Sequence, residues 1–249
     1  MKFVLLSPRR GKEVIAAEYD DFLTFSGLTE QQLEVRVLDQ PDSSLGDFSD
    51  VTGVFIGGSP FTITDPIDDE WQPAISQRLV HFVKDATVHR RFPILSTCYG
   101  TGMFAHYMGG RVGQEHSEEP GPSVVQLTEA AEHDVLTRGL PREFLGLGAH
   151  KDSVEQLPAN ATLLATGPTC PVHMYRIGDN VWVTQFHPEL DGDRITIRLG
   201  FYDRAGYYSE EKAKEIYASL IGHDTSAANS LISRFVTYAV SLENKNECH

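Results

Sequence analysis

Apolar positions in this chain fall into short dense runs separated by longer mixed segments. Phe3 to Leu6, Val35 to Leu38, Val51 to Ile56 and Phe92 to Leu95 are runs too short for helices, and they read as buried strands. Between them, Glu13 to Leu23 and Trp71 to Val83 repeat apolar residues at helical spacing. Strands that alternate with helices predict an α/β fold: a doubly wound, mostly parallel sheet with helices on both faces. From about Val124 the texture changes. Val124 to Leu127, Thr162 to Ala165, His173 to Ile177 and Val181 to Phe186 read as shorter strands, and Gly178-Asp179-Asn180 offers a hairpin turn between the last two. This predicts a small antiparallel addition. The tail, Glu210 to Leu220 and Ala227 to Leu242, reads as two helices, with Asp224-Thr225-Ser226 as a cap for the second. The simplest organisation is a single domain over residues 1–249, with a core over about 1–200 and a helical C-terminal extension over about 201–249.

Composition narrows the function classes. A chain of 249 residues can bury one sizeable core, and its apolar and charged fractions are those of a soluble globular protein. The formal net charge of -14 argues against nucleic acid or an anionic membrane as partner, because both repel an acidic protein. The first apolar run is too short for a signal peptide, Arg9 and Arg10 follow it closely, and no run is long enough to cross a bilayer. Cys98, Cys170 and Cys248 are odd in number and far apart, which suits a reducing cytoplasm better than a disulfide framework. Asn160-Ala161-Thr162 matches a glycosylation acceptor, but no secretory signal supports it. The acidic segment Thr62 to Glu70 reads as a solvated loop, with the rim of a pocket as its alternative.

The segment richest in chemistry is Pro93-Ile94-Leu95-Ser96-Thr97-Cys98-Tyr99-Gly100-Thr101-Gly102. A buried strand ends at a cysteine among small residues. A helix follows, with Met103, Phe104, Tyr107 and Met108 on one face, and stops at Gly109-Gly110. A cysteine on such an elbow raises its sulfur at the carboxyl edge of the sheet. The helix N-terminus favours the thiolate there and directs the N–H of Tyr99 toward a reacting carbonyl oxygen. Taken alone, the cysteine is as well explained by packing, since free cysteine is among the most buried residue types.

A partner is found much later, in Val181-Trp182-Val183-Thr184-Gln185-Phe186-His187-Pro188-Glu189. In an extended chain, His187 and Glu189 point to one side, and Pro188 stiffens the link between them. A thiol nucleophile needs a base that takes its proton and returns it to the leaving amine, and a carboxylate that fixes the imidazole tautomer. A plain turn with an exposed acid is the bland alternative. Zinc would need a third ligand at suitable spacing; none occurs, and His81, His89, His106, His116 and His133 are scattered. Gly57-Gly58, ending the run from Val51, lets backbone N–H groups approach a ligand, or simply turns the chain. There is no phosphate-binding loop and no dinucleotide fingerprint, so no cofactor and no metal is expected.

Five pieces occur in one order: Gly57-Gly58-Ser59-Pro60, Cys98-Tyr99-Gly100, Gly109-Gly110-Arg111-Val112, His150-Lys151-Asp152-Ser153-Val154, and Gln185-Phe186-His187-Pro188-Glu189. Together, over roughly residues 1 to 200, they resemble the class I glutamine amidotransferase family, and within it the amidotransferase domain of GMP synthases. The resemblance implies a flavodoxin-like fold, a Cys98 nucleophile forming a γ-glutamyl thioester with glutamine, His187 as base and then acid, and Glu189 as its orienter. It implies oxyanion donors at Gly58 and Tyr99. It also implies a substrate pocket bordered by Gly57, Gly100, Gly102, His150 and Asp152. There Asp152 either attracts the α-amino group or caps its own loop.

Two positions depart from the family pattern: Ser96 stands where glycine is usual, and Gly102 where a substrate-holding glutamine is usual. About sixty residues follow Glu189, and they read as helical rather than as a synthetase domain. Three functions are consistent with this. The first is a glutamine-hydrolysing subunit that feeds ammonia to a separate synthetase. The second is a stand-alone γ-glutamyl peptidase or hydrolase. The third is a non-enzymatic, redox-sensing flavodoxin-like protein whose thiol is Cys98. The C-terminal helices are candidates for covering the sheet, shielding the site or forming a homodimer.

Overall fold

The computed structural model describes residues 1–67, 69–89, 92–202 and 211–246; Asp68, Cys248 and the expected helix start at Glu210 lie outside the described residues. In chain order the elements begin with β1 (Phe3–Ser7), α1 (Lys12–Ser26), β2 (Leu33–Val37), β3 (Gly53–Ile56), α2 (Trp71–His89), β4 (Ile94–Thr97) and α3 (Tyr99–Tyr107). They continue with β5 (Arg111–Gly113), β6 (Glu118–Leu127), β7 (Glu143–His150), β8 (Ser153–Gln156), β9 (Ala161–Thr166), β10 (Met174–Ile177) and β11 (Val181–Thr184). Three helices close the chain: α4 (Gly192–Gly200), α5 (Ala213–Ser219) and α6 (Ser226–Asn246).

Nine strands form one sheet in the order β2-β1-β3-β4-β11-β10-β9-β6-β7, and β5 pairs with β8 in a second, two-stranded sheet. The pairings from β2 through β11 are parallel. Those from β11 to β7 are antiparallel, so the antiparallel part makes up four of the nine strands. The split follows from the sequence. The strand β1 is buried along its whole length, as a central parallel strand covered on both faces must be.

Alternation along β1 sends Val4 and Leu6 to one face of the sheet and Phe3 and Leu5 to the other. The first face is covered by α2 and α3 through Ile75, Leu79, Val83, Met103 and Phe104. The second is covered by α1 and α6 through Phe22, Leu231, Ile232 and Phe235. Phe235 meets the rings of Phe3, Phe55 and Trp182, so α6 is a core layer of the sheet.

Element boundaries shift where packing overrides local pattern. The strand β2 starts at Leu33 because Leu33 is buried there, and β11 stops at Thr184, short of Phe186. The helix α2 runs beyond Val83 to His89. The elements β5, β7, β8 and α4 have no counterpart in the sequence reading. The glycines of β7 hide its strand character, and they serve packing: a Cβ at Gly146 would stand 2.8 Å from the ring of Phe186. At the carboxyl ends of β1, β3, β4 and β11 the chain leaves the sheet on one edge, the usual site of chemistry in such folds.

Candidate active site

Cys98 lies between β4 and α3 with φ 54° and ψ −97°, and it alone among the described non-glycine residues has positive φ. Such a conformation costs about 1–3 kcal/mol and persists only where its surroundings enforce it. Here its N–H donates to the Thr184 carbonyl (2.7 Å), and its carbonyl accepts from Thr101 N–H (2.9 Å). The side chain is thereby lifted off the sheet edge at the N-terminus of α3. Ser96, two residues earlier, is accommodated by Gly100, because a Cβ at residue 100 would collide with the Ser96 hydroxyl. A serine before the cysteine thus goes with a glycine after it.

His187 and Glu189 meet. His187 Nδ1 and Glu189 Oε1 are 2.6 Å apart, Glu189 is fully buried, and the ring and the Cys98 side chain both border Gly58. They do not meet by strand alternation, since β11 has already ended. The segment folds into a turn closed by Leu190 N–H donating to the His187 carbonyl (3.2 Å). Burial disfavours a charged His187 ring, but the Glu189 carboxylate and the Cys98 sulfur outweigh it and hold the pKa above its usual range. Burial likewise opposes ionised Glu189, and its pairing with His187 wins and lowers the carboxyl pKa. A thiol, an imidazole and a carboxylate in this order can pass a proton from sulfur to ring while the carboxylate holds the ring's orientation.

The turn has a support that the sequence reading missed. Asn229, on α6, donates through Nδ2 to the carbonyls of Pro188 (2.8 Å) and Leu190 (2.9 Å). Thr225 donates to Asn229 Oδ1 (2.8 Å) and so fixes which end of the amide faces the turn. Only the cap signal at Asp224-Thr225-Ser226 hinted that this helix start was special, and Asp224 does cap it, accepting from Ser226 N–H at 3.0 Å.

Gly58 is wedged against the same groups. A Cβ there would stand 3.0 Å from His187 Cε1 and 3.5 Å from Cys98 Cβ. A small cleft beside Cys98 is lined by Phe61, Thr62, Tyr99, Gly102, His150 and Asp152, with Gln185 at its wall. Gly102, His150 and Asp152 therefore border it as expected positions of the pocket. Gly57 and Gly100 do not: Gly57 lies on the carboxylate of Glu18 and Gly100 on Ser96. Asp152 reaches beyond its own loop. Its carboxylate accepts from Ile63 N–H and from the Thr64 hydroxyl (2.5 Å), tying the 62–64 segment across the cleft. The start of the acidic segment is thus a pocket rim rather than a free loop. His150 is held by Glu118, 3.1 Å from its Nε2, and by the Asp152 carbonyl, 2.8 Å from its Nδ1.

Among the described residues no group of three or more His, Cys, Asp or Glu side chains could hold a metal ion, and no helix is long and apolar enough to cross a membrane.

Residues 24–198 match the family model for class I glutamine amidotransferases. The chain belongs to that family. Among its relatives, a glutamine-hydrolysing GMP synthase of Christiangramia forsetii is 31% identical over 145 residues, covering 58% of this chain and 26% of that protein. One subunit of the glutamine-hydrolysing GMP synthase of Pyrococcus abyssi is 36% identical over 99 residues, covering 39% of this chain and 51% of that one. The matched part thus spans between about a quarter and a half of these relatives. In structure, a glutamine amidotransferase of Thermotoga maritima superposes with a TM-score of 0.69 at 19% identity, over 95% of this chain and 99% of that one. Another, from Methylobacillus flagellatus, gives 0.69 and 19%, over 97% and 95%. These two establish the likeness of fold.

Proposed function

We propose that this chain hydrolyses a γ-glutamyl amide, with glutamine as substrate, through Cys98, His187 and Glu189. The observation that carries the reading is that Cys98, on its strained elbow, and a His187 ring bonded to buried Glu189 lie against the same glycine, Gly58. His187 holds the proton given up by the Cys98 thiol, and the thiolate attacks the amide carbon. The oxygen that becomes negative is received by the N–H groups of Gly58 and Tyr99. Tyr99 opens α3, so its N–H has no acceptor within the helix. His187 returns the proton to nitrogen and ammonia leaves. Water, deprotonated by the same ring, then attacks the γ-glutamyl thioester and releases glutamate. In a Cys98→Ser variant that retains wild-type circular dichroism, ammonia release from glutamine falls by more than about a thousandfold, as removal of a covalent nucleophile does. Unchanged release would refute the assignment.

Two relatives bear on the acceptor of the ammonia. Their names attach glutamine hydrolysis to GMP synthesis, and one of them is a separate subunit. We therefore take the partner to be a synthetase subunit that consumes ammonia, with residues 1–249 acting as one amidotransferase domain.

A second reading is favoured by the surroundings of Gly102. A Cβ there would have Ile63 and Val112 at 3.7 Å and Asp152 at 3.8 Å, so apolar side chains border the place from which a longer polar residue would hold free glutamine. This supports a stand-alone γ-glutamyl hydrolase acting on a γ-glutamyl peptide. Comparing kcat/KM for glutamine with that for γ-glutamyl dipeptides separates the two. A tenfold preference for the dipeptides selects the second reading, and a preference for glutamine selects the first.

A further inference from the structure

The Gly57-Gly58 strand end rests on a buried ion pair. Arg9 leaves the carboxyl end of β1 and Glu18 lies on α1, and both are at least 97% buried. Arg9 Nε donates to Glu18 Oε1 (2.7 Å), Ser7 Oγ donates to Glu18 Oε2 (2.5 Å), and Arg9 Nη1 donates to the Tyr202 hydroxyl (2.5 Å). A Cβ at Gly57 would stand 2.6 to 2.7 Å from the carboxyl atoms of Glu18, and one at Gly58 would stand 2.9 Å from Arg9 Nη2. The two glycines therefore lie flat on the pair, and neither position has room for a side chain while the pair is in place. The remaining neighbours of Gly58 are His187 and Cys98. Of the three guanidinium nitrogens, Nη2 alone is without a hydrogen bond to a described residue, and it occupies the space that a Gly58 side chain would need.

A second guanidinium, Arg198 on α4, also reaches Glu18 (3.4 Å) and pairs with Asp21. Glu18 is thus shared by two cations, Asp21 balances Arg198, and Arg9 is the cation of the group that lies against Gly58. Burying such a network for stability alone is inefficient, because well-packed apolar residues of the same volume serve as well or better. A buried cation beside a centre where negative charge develops is a different matter, since in a water-poor site its field is weakly screened. Both Arg9 and Glu18 precede the segment matched by the family model, which begins at residue 24.

We infer that Arg9, held by Glu18, is a positioning residue of the active site: its guanidinium seats the Gly58 N–H against the reacting carbonyl and supplies positive charge behind it. This rests on the proposed Cys98 chemistry. Burial disfavours the charged guanidinium, but Glu18 outweighs it and, with smaller contributions from Tyr202 and Cys98, keeps Arg9 charged.

The test compares Arg9→Gln and Arg9→Lys with the wild type in two assays. In glutamine hydrolysis, Arg9→Gln lowers kcat at least tenfold with KM within threefold. Arg9→Lys, which keeps the charge, retains at least a third of kcat. In the second assay, iodoacetamide alkylation of Cys98, which needs no γ-glutamyl substrate, Arg9→Gln reacts at least fivefold more slowly at neutral pH. If Arg9→Gln does not fold, the double variant Arg9→Met with Glu18→Leu removes the pair without stranding a charge, and the same losses are expected. Kinetics within twofold of wild type in both assays, in a variant whose melting temperature alone has dropped, would leave the pair purely structural and overturn the inference. If the wild type hydrolyses no γ-glutamyl amide, the reaction proposed above fails instead, and the alkylation rates alone decide for or against Arg9.

Discussion

His173 shows how much a single buried ring can set. It is 1% exposed, both ring nitrogens are buried without a hydrogen-bond partner among the described residues, and Glu118 lies 3.9 Å from Nε2. Burial lowers its pKa to about 4; Glu118 opposes that shift and His150 adds to it. The folded protein therefore holds this ring neutral, while the unfolded chain takes up a proton near pH 6.5. The stability this confers is complete above about pH 6.5 and drains away as pH falls toward 4. The lowered Glu118 carboxyl acts in the same direction. Urea unfolding followed from pH 7 down to pH 4 should reveal a loss of up to about 3 kcal/mol from His173. A His173→Gln variant should show a clearly shallower decline. Parallel curves for the two proteins would count against the assignment. This ring was invisible as a special residue in the sequence, where it reads as one more apolar-strand position.

Among the elements, α6 carries two tasks that its sequence advertises unequally. Its apolar face, with Leu231, Ile232 and Phe235, is legible as an amphipathic pattern and becomes a wall of the core. Its grip on the His187–Leu190 turn, through Asn229, is not legible, because an asparagine in the first turn of a helix is ordinary. Asn229→Asp keeps the shape and removes both donors, setting a carboxylate against two carbonyl oxygens. Each buried carbonyl left unpaired costs about 1–3 kcal/mol. The melting temperature should drop by several degrees, and kcat for amide hydrolysis should fall roughly tenfold as the His187 ring loses its setting. A variant that melts lower yet turns over at the wild-type rate would show that the turn keeps its geometry without the clamp.

The charge of the whole molecule acts on a different scale. At -14, the surface repels itself, whereas the internal pairs around Glu18 and Asp21 are shielded from solvent. Raising ionic strength from about 10 to 150 mM shortens the screening length from roughly 30 to 8 Å, relieving the surface more than it weakens buried pairs. Thermal unfolding should therefore shift upward by a few degrees over that range. A downward shift would mean that exposed pairs such as Arg10–Asp69 and Lys212–Glu119 outweigh the general repulsion.

The local pattern by itself determined the parallel half of the sheet, the elbow at Cys98 and the nearness of His187 to Glu189, while the turn in which they meet is held by the distant Asn229. Continuous apolar runs, a strand that stops at a cysteine among small residues, and two groups linked by one proline are short-range signals. What only the tertiary structure decided depends on residues far apart in the chain. The glycines of β7 at 146 and 148 leave room for Phe186, which packs against them. Asp152 serves the rim of the cleft because the 62–64 segment folds across to it. The glycines at 57 and 58 also roof a buried ion pair, a packing role their sequence does not show. Each of these is set by what fills the other side of a contact, and a one-dimensional pattern carries no record of that.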